Sequence, residues 1–197
     1  MQTPAHVAAS LFLWRGETRW IDASAVAAGA VLPDISMFFF YGYQKALGSS
    51  EKEIWGPLYF EDSWQYSFDV FNSIPIAIVL WVIFYRLGIR WAQLLTASAA
   101  LHMLCDLPVH HDDGHRHFLP ISSWRFESPV SYWDPEHYGL IFATFELAFA
   151  IASLIYVIRK GAMPSRRIAI GTLAIYIAVI SLLAFVLGKR FLVVGQN

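Results

Sequence analysis

The long apolar segments of this chain limit its possible folds more than any other feature. The segments Gly139 to Ile158 and Ile168 to Leu187 are each about 20 residues long, enough for an α-helix to cross a hydrocarbon core of about 30 Å. Val70 to Leu87 is nearly as apolar, and Pro75 lies near its start, where a helix tolerates proline. Trp91 to Asp106 is shorter and more polar. We therefore predict four transmembrane helices.

Composition agrees with a membrane protein. Of the 197 residues, 57% are hydrophobic, 16% are aromatic and only 15% are charged. The net charge of −1 and the absence of a basic tract argue against a nucleic-acid partner. Cys105 is the single cysteine, so an internal disulfide and a cysteine-based zinc site are both excluded. The lipid bilayer is the expected partner, and the oligomeric state is left open.

The first 69 residues allow two interpretations. Ala23 to Tyr43 is apolar enough to cross the membrane, but Pro33 and Asp34 lie at its middle, so it either spans or packs half-buried against other helices. The predicted fold class is all-α: a polytopic membrane bundle of about four transmembrane helices plus a half-buried N-terminal helical region. We expect one membrane domain over 1–197, divided into 1–69, a first hairpin 70–106, a surface loop 107–138 and a second hairpin 139–197.

Basic residues predict the orientation. Two short loops carry most of the charge that would face the cytoplasm: Arg86 and Arg90 in one, and Arg159, Lys160, Arg166 and Arg167 in the other. Loops rich in lysine and arginine stay on the cytoplasmic side. Counting the crossings then places residues 107–138 on the outer face. In a bacterium this is the periplasmic side of the inner membrane.

Imidazoles and carboxylates are concentrated in one part of the chain. Six of the seven histidines and six carboxylates lie between His102 and His137. This density is typical of metal ligands or proton-transfer groups, because each side chain would otherwise need its own partner or open water. His102 and Asp106 are spaced i and i+4, so they project from one helix face. Pro108 should end that helix near Leu107, which lets the histidines beyond it fold back over Asp106.

A second group lies upstream. His6 and Asp34 are ionisable groups in an apolar region, where such groups are expensive and usually functional. The small-residue run Ala27 to Ala30 would let this segment approach a neighbouring helix closely. Asp34 would alternatively cap the helix that starts at Ile35. The predicted metal ligands are His6, Asp34, His102, Asp106, His110, His111 and His137, and the expected ion is zinc, with manganese or iron as alternatives.

Other polar residues are candidates for catalysis and substrate binding. Asp112 or Asp113 is the expected proton acceptor. Arg116 and Arg125 would anchor a phosphate or carboxylate, or instead neutralise nearby acidic side chains such as Glu127. The predicted substrate contacts are these two arginines together with Trp124 and Trp133. For the tryptophans the alternative is a simple aromatic belt at the membrane surface.

Three residues are expected to support the site from outside it. Asp134 would face the site or merely cap the following helix. Glu146 lies in an apolar helix, where an unpaired carboxylate would stay protonated or pair with a polar partner such as Asn72. His115 and His117 follow Gly114 in a predicted turn, and we expect at least one of them to be solvated.

These residues resemble the bacterial inner-membrane family known as membrane-bound metal-dependent hydrolases. Thr3-Pro-Ala-His6 is similar to the family's opening histidine motif, the Gly29 to Asp34 segment to its Gly-to-Pro-Asp motif, and His102-x-x-x-Asp106 to its distal helix motif. The family's His-Ser pair is replaced here by Asn72-Ser73, so one ligand that the family uses is absent.

Two further resemblances are narrower or more distant. The His-x-x-x-Asp helix and the early aspartate resemble the helical fold of zinc-dependent phospholipase C and P1 nuclease, whose zinc ions hydrolyse phosphoesters. The segment from Pro120 to His137 resembles a subgroup often labelled as a cobalamin-biosynthesis amidotransferase. Such an enzyme would need a Gly-rich nucleotide-binding loop and an exposed nucleophilic cysteine, and the sequence contains neither.

The preferred hypothesis is a metal-dependent hydrolase at the outer membrane face, acting on a phosphoester or on another ester or amide of a membrane-associated lipid or amphiphile. The main alternative is a non-catalytic protein that binds a transition metal for uptake, storage or sensing. Haem binding would need paired histidines at membrane depth, where only His102 is a candidate. A structural protein with pH-responsive histidines is the last alternative.

Overall fold

The computed structural model describes the backbone of residues 1–194 and the side chains of residues 1–179 and 181. Over this range the chain is helical and contains no β-strand, as the apolar segments predicted. The helices are α1 Thr3–Leu13, α2 Trp20–Val31, α3 Ile35–Ala46, α4 Glu51–Glu53, α5 Asp62–Phe71, α6 Ile74–Arg86, α7 Arg90–Asp106, α8 Gly139–Lys160 and α9 Met163–Val194. Short 3₁₀ turns at Leu32–Asp34, Leu107–Val109 and Pro135–His137 and a π-helical turn at Ile54–Leu58 complete the fold.

Within the described residues, three helical segments are long and apolar enough to cross a membrane: Trp20–Ala46, Asp62–Arg86 and Gly139–Lys160. The first includes Ala23 to Tyr43, the segment whose crossing the sequence left open. Trp91 to Asp106 is helical as expected, but α7 is only 17 residues long and is not among the three. The predicted span Ile168 to Leu187 lies in α9, and its second half falls outside the described side chains.

Close contact between α2 and α7 organises the bundle. A Cβ added at Gly29 would lie 2.1 Å from the backbone oxygen of Leu95, so this position tolerates no side chain. Ser98 of α7 donates a hydrogen bond to Val26 O on α2 at 2.7 Å. Small residues let helix backbones approach one another, and hydroxyls then bond between them. The small-residue run was predicted to have this role, and the contact confirms it.

Helix α1 packs between α2 and α8 and supplies much of the apolar core. Ala8 and Leu11 of α1 are completely buried against Val26 of α2 and against Ala150 and Leu154 of α8. This packing anchors α1 along its length. It therefore holds the start of α1 beside the end of α7.

The connections at the opposite end of the bundle meet one another. Ala162 N donates a hydrogen bond to Arg15 O at 2.8 Å, which joins the α8–α9 link to the α1–α2 link. Arg90, at the start of α7, forms a salt bridge with Glu17 at 2.8 Å. The links α1–α2, α6–α7 and α8–α9 therefore share one end of the bundle. The start of α1, the turn before α3 and the end of α7 share the other.

A cap covers this second end. It consists of α3, α4, α5 and the loop 107–138, and its interior is aromatic. Phe40 of α3 contacts Tyr59 and Phe68 at ring-centroid distances of 6.3 and 5.5 Å. These three rings are buried. The cap thus rests on its own small core, directly over the helix ends that carry the predicted metal ligands.

Candidate metal centre

Two helices bring three potential ligands together at the covered end of the bundle. The nitrogen Nε2 of His6, on α1, lies 3.0 Å from Oδ1 of Asp106, on α7. The nitrogen Nε2 of His102, one turn earlier on α7, lies 2.9 Å from Oδ2 of the same carboxylate. One ligand atom from each residue can be chosen so that all lie within 4.8 Å of one another. His102 and Asp106 were predicted from their i, i+4 spacing, and His6, also predicted, is the third potential ligand of this group.

These separations match the distance between ligands that share one ion. Ligand atoms about 2.0–2.2 Å from a tetrahedral zinc ion lie roughly 3.3 Å from each other. His6 Nε2 and His102 Nε2 have no hydrogen-bond partner in the described structure, although a carboxylate oxygen lies near each. Ligand atoms whose lone pairs point toward one common ion lie close together without hydrogen-bond geometry. The residues present therefore fit a divalent cation.

A backbone carbonyl sets the tautomer of His102. Its Nδ1 donates to Ala30 O at 2.7 Å, because a carbonyl oxygen only accepts. When the ring is neutral, the lone pair of Nε2 therefore faces Asp106. Metal-binding histidines are commonly oriented by a bond of this kind on the nitrogen that does not bind the metal. The carbonyl is accessible because α2 ends just after Ala30 and packs directly on α7.

The centre is buried and its imidazoles are stacked. His6 and His102 are each 1% exposed and Asp106 is 2% exposed. The two imidazole rings stack with centroids 3.5 Å apart and 12° between their planes. Two protonated rings so close together would repel each other strongly in a buried site. Neutral rings that share a cation avoid this cost.

Asp34 approaches the centre from the turn before α3. Its Oδ1 lies 3.5 Å from His102 Nε2, and its Oδ2 accepts a hydrogen bond from Thr3 Oγ1 at 2.5 Å. The alternative role for Asp34 was a side-chain cap of α3, and the structure shows no such hydrogen bond. Asp34 therefore faces the centre and is held there by Thr3, which the sequence motif contained but which was not predicted as a site residue.

His110 folds back over the end of α7, as predicted from Pro108. Its Nε2 lies 3.5 Å from Asp106 Oδ1, and its Nδ1 lies 3.1 Å from Asp113 Oδ2. Burial opposes protonation of His110, but the carboxylates of Asp106 and Asp113 outweigh it and raise its pKa to about 9. Burial also opposes ionisation of Asp113, and the hydrogen bond from His110 outweighs this and lowers the Asp113 pKa. His110 thus connects the centre to Asp113.

The start of the chain closes the remaining side of the centre. The α-amino group of Met1 lies 2.5 Å from Asp106 Oδ1. Glu146 of α8 is buried and accepts a hydrogen bond from Gln2 N at 2.9 Å. We expected Asn72 to be the partner of Glu146, and this was wrong. Helix α1 lies along α8, so the backbone at its start satisfies the carboxylate first.

Asn72 instead holds the cap to the bundle. Its side-chain amide donates to Phe68 O at 3.0 Å and to Pro33 O at 3.3 Å. Its backbone carbonyl accepts a hydrogen bond from His117 Nδ1 at 3.0 Å. Asn72 stands where the family that the sequence resembles has a histidine. Here it positions the turn that carries Asp34. Ser73 lies just before α6 and caps this helix by accepting a hydrogen bond from Ile76 N.

The expectation that His115 or His117 is solvated was wrong. Both are 3% exposed, because the loop 107–138 folds under its own cover rather than extending into water. Burial lowers the pKa of His115 to about 3, so this ring is neutral. His115 lies between His110 and His117, with ring centroids 5.7 and 5.8 Å away.

Arg116 and Arg125 meet a partner that the sequence interpretation missed. Asp69 of α5 is completely buried and accepts hydrogen bonds from the backbone N and the Nε of Arg116. Arg125 donates to Gln65 Oε1 at 3.1 Å and lies 3.9 Å from Asp69. The two arginines therefore neutralise Asp69 rather than Asp112, Asp113 or Glu127. Helix α5 carries two aspartates, Asp62 and Asp69, and no local signal marks Asp69 as the buried one.

His111 and His137 form a separate pair. Their rings stack at 3.7 Å, and neither belongs to the buried group of three. His111 Nδ1 donates to Ser128 O at 2.7 Å, and His137 Nδ1 lies 2.6 Å from Asp134 Oδ2. Asp134 also accepts a hydrogen bond from Glu136 N, so it caps the turn Pro135–His137 and not α8, which has no side-chain cap.

An aromatic cavity of about 410 Å³ opens beside the centre. Its lining residues are Met37, Trp55, Tyr59, Phe60, Asp112, Asp113, Tyr132 and Trp133. Asp113 belongs both to this cavity and to the bridge through His110, and Trp133 Nε1 donates to Asp113 Oδ2 at 3.0 Å. Trp124, the other predicted tryptophan, is not part of the lining and contacts Phe118 and Phe126 instead.

Comparison with known sequences gives one partial match. The family described as Domain of unknown function (DUF4184) is similar to residues 2–92, which is less than half of the chain. The matched part contains His6, Asp34 and Asn72 and ends before His102. No curated protein and no solved structure matches the chain. The similarity carries no assigned activity.

Proposed function

We propose that this protein is a membrane-bound, metal-dependent hydrolase, with zinc as the ion. The proposal rests on one observation: His6 and His102, from two helices, direct imidazole nitrogens without a hydrogen-bond partner toward the carboxylate of Asp106 at one buried point. The carbonyl of Ala30 orients His102, and Asp34 stands 3.5 Å from its Nε2 as a fourth oxygen donor. Nitrogen and carboxylate oxygen together suit zinc, while manganese and iron accept the same donors. The resemblance to metal-dependent membrane hydrolases agrees with this proposal.

In this proposal the chain supplies both the ligands and the proton acceptor. A bound divalent ion supplies a Lewis acid that lowers the pKa of water toward neutrality. His110 faces the centre with Nε2, while Asp113 holds its Nδ1, the arrangement in which a carboxylate orients an imidazole for proton transfer. His110 is therefore the proposed proton acceptor, and of the two aspartates predicted for that role Asp113 takes part as the group that orients it. A cation bound at Asp106 would neutralise one of the carboxylates that raise the pKa of His110, so the ring could accept a proton nearer neutral pH. Asp112 is exposed and lines the adjacent cavity.

The substrate in this proposal is a phosphoester, or another ester or amide, carried by a lipid or amphiphile. The supporting observation is the 410 Å³ cavity beside the centre, which is large enough for part of a small molecule. Exposed aromatic side chains line it, including Trp55, Phe60 and Trp133. Such side chains suit the headgroup region of a membrane. An amphiphile would reach the cavity without leaving the bilayer.

The proposed location is the bacterial inner membrane, with the centre toward the periplasm. The three links that share one end of the bundle, together with the helix ends that flank them, contain eight of the chain's 14 basic residues: Arg15, Arg19, Arg86, Arg90, Arg159, Lys160, Arg166 and Arg167. Positive charge of this density marks the cytoplasmic side. The candidate metal centre lies at the opposite end.

A second candidate function is non-catalytic binding of a transition metal. The burial of all three central ligands favours it, because a closed shell leaves little room for a substrate. The hydrolase remains preferred because the cavity and the His110–Asp113 bridge lie next to the centre. A pure metal carrier has no evident use for either.

Elemental analysis combined with turnover assays tests the proposal. The wild type, purified without chelator and resupplied with zinc, should contain stoichiometric metal and hydrolyse a substrate from a panel of phosphoester, ester and amide amphiphiles. The double variant His102→Ala/Asp106→Ala should contain no metal and show no turnover. The variant His111→Ala is the matched control, because His111 is an imidazole of the loop 107–138 that lies outside the buried group of three. It should retain its metal.

One further variant separates the two candidate functions. His110→Asn should keep the metal and lose turnover if His110 transfers the proton. Full metal content with no turnover of any substrate by the wild type would favour the metal-binding alternative. Equal, near-zero metal in the wild type and the double variant would contradict both.

A further inference from the structure

The aromatic cavity beside the centre has the character of a cation site. Five of its eight lining residues are aromatic, and two others are aspartates. No lysine, arginine or histidine is among the eight. The negative faces of aromatic rings attract cations, and carboxylates add a net negative charge. A purely apolar ligand would have no use for the two aspartates.

The two aspartates are available to such a ligand in different ways. Asp113 uses Oδ2 for Trp133 and His110, and its Oδ1 is buried without a hydrogen-bond partner in the described structure. Asp112 is exposed and forms no salt bridge within the described residues. Asp113 is paired with His110, so the unneutralised negative charge of the cavity is that of Asp112.

Aromatic residues come to the cavity from both sides of the cap. Trp55, Tyr59 and Phe60 belong to the connection between α3 and α5, while Tyr132 and Trp133 belong to the loop 107–138. Tyr59 is buried, whereas Trp55 is 48% exposed and Trp133 is 55% exposed. The buried ring forms the wall, and the two tryptophans stand at the opening.

We infer that this cavity binds a quaternary ammonium group. A trimethylated nitrogen spreads its charge over methyl groups and donates no hydrogen bonds, so aromatic faces and carboxylates suit it better than a polar pocket would. Tyr132 contacts His110 at a centroid distance of 4.9 Å, so a ligand held here lies next to the proposed proton acceptor. Binding of the cation in this cavity is independent of the proposed function. The statement that the substrate has a cationic headgroup rests on that function.

Two sources could provide this group, a zwitterionic lipid headgroup and a free small amine. Binding of tetramethylammonium and of choline to the zinc-loaded full chain should be measured by calorimetry in maltoside micelles. The neutral isostere 3,3-dimethylbutanol is the matched ligand, because it has the same shape without the charge. We expect it to bind at least about tenfold more weakly than choline.

Variants locate the binding. Trp55→Leu and Asp112→Asn should each weaken tetramethylammonium binding about tenfold. Trp91→Leu and Glu136→Gln are matched controls, since Trp91 is similarly exposed at 43% and Glu136 is an exposed carboxylate in the same loop, and neither lines the cavity. Both controls should bind like the wild type. Saturable binding that the cavity variants leave unchanged would overturn the inference, and so would no binding by folded, zinc-loaded protein.

Nanodiscs distinguish the sources. If phosphatidylcholine nanodiscs suppress tetramethylammonium binding and phosphatidylglycerol nanodiscs do not, the ligand is a lipid headgroup. Equal binding in both identifies a free amine. Zinc content measured on the same samples separates the two proposals. Normal zinc without cation binding overturns only the cavity inference, and cation binding in protein that never takes up zinc overturns only the hydrolase.

Discussion

The molecule contains two stacked imidazole pairs that are alike in shape and different in surroundings. His6 and His102 stack at 3.5 Å, and His111 and His137 stack at 3.7 Å. The first pair is buried between helices, and both Nε2 atoms face the carboxylate of Asp106. The second lies in the surface loop, where each Nδ1 is paired with an oxygen of that loop.

The comparison teaches that stacking and histidine density do not by themselves make a ligand set. What distinguishes the first pair is convergence: separate helices direct unpaired nitrogens and one carboxylate at a single point. Packing of α1, α2 and α7 maintains that geometry at a distance from water. The second pair has its partners within the loop 107–138, 17 residues away for His111 and three for His137, and its rings are partly exposed.

The largest expected effect comes from separating the helices that hold the first pair. Gly29→Ala places a Cβ 2.1 Å from Leu95 O, so α2 and α7 must move apart. We expect a loss of about 3 kcal/mol in the free energy of unfolding, measured by SDS-induced unfolding in mixed micelles, together with loss of metal.

Gly42→Ala is the control for this variant, because nothing lies within 4 Å of the added Cβ. It should stabilise α3 by up to ~1 kcal/mol. Similar destabilisation by both variants would show that the close α2–α7 contact has no special role.

Removing one imidazole from each pair tests the comparison directly. His102→Ala should weaken zinc binding roughly 100-fold or more, because it removes a ligand and leaves Asp106 facing an incomplete site. His137→Ala should change zinc affinity by less than about twofold, which competition with a chromogenic chelator resolves. Equal weakening by the two variants would place the ion between the pairs instead.

A smaller effect is expected at the support of Asp34. Thr3→Val removes the hydroxyl that donates to Asp34 Oδ2 and should lower zinc affinity about tenfold. Thr3→Ser retains the donor and should bind zinc like the wild type. If the serine variant is as weak as the valine variant, the hydroxyl does not act through this hydrogen bond.

The smallest effect should be confined to the second pair. Asp134→Ala removes the cap of the turn Pro135–His137 and the partner of His137, and should cost about 1 kcal/mol of stability. Zinc content should not change, since no atom of the buried group contacts Asp134. A loss of metal in this variant would contradict the separation of the two pairs.

Much of the candidate centre was predictable because its signals are local. The His102–Asp106 spacing, Pro108 at the end of the helix and the small-residue run before Asp34 each act within a few residues, and the structure agrees with all three. Asp69 was missed, because a buried carboxylate can be identified only from the residues that pair with it. Those partners, Arg116 and Arg125, are 47 and 56 residues away in the sequence.

The sequence by itself determined that this chain is an all-helical membrane protein with a concentration of imidazoles and carboxylates after α7, because hydrophobicity and helical spacing are properties of neighbouring residues. Only the tertiary structure decided which of those imidazoles meet. It joined His6 to His102, placed His111 with His137 and buried His115 and His117. The reason is physical: a metal centre depends on where helix ends converge, and convergence comes from packing between segments that are about 100 residues apart in the chain.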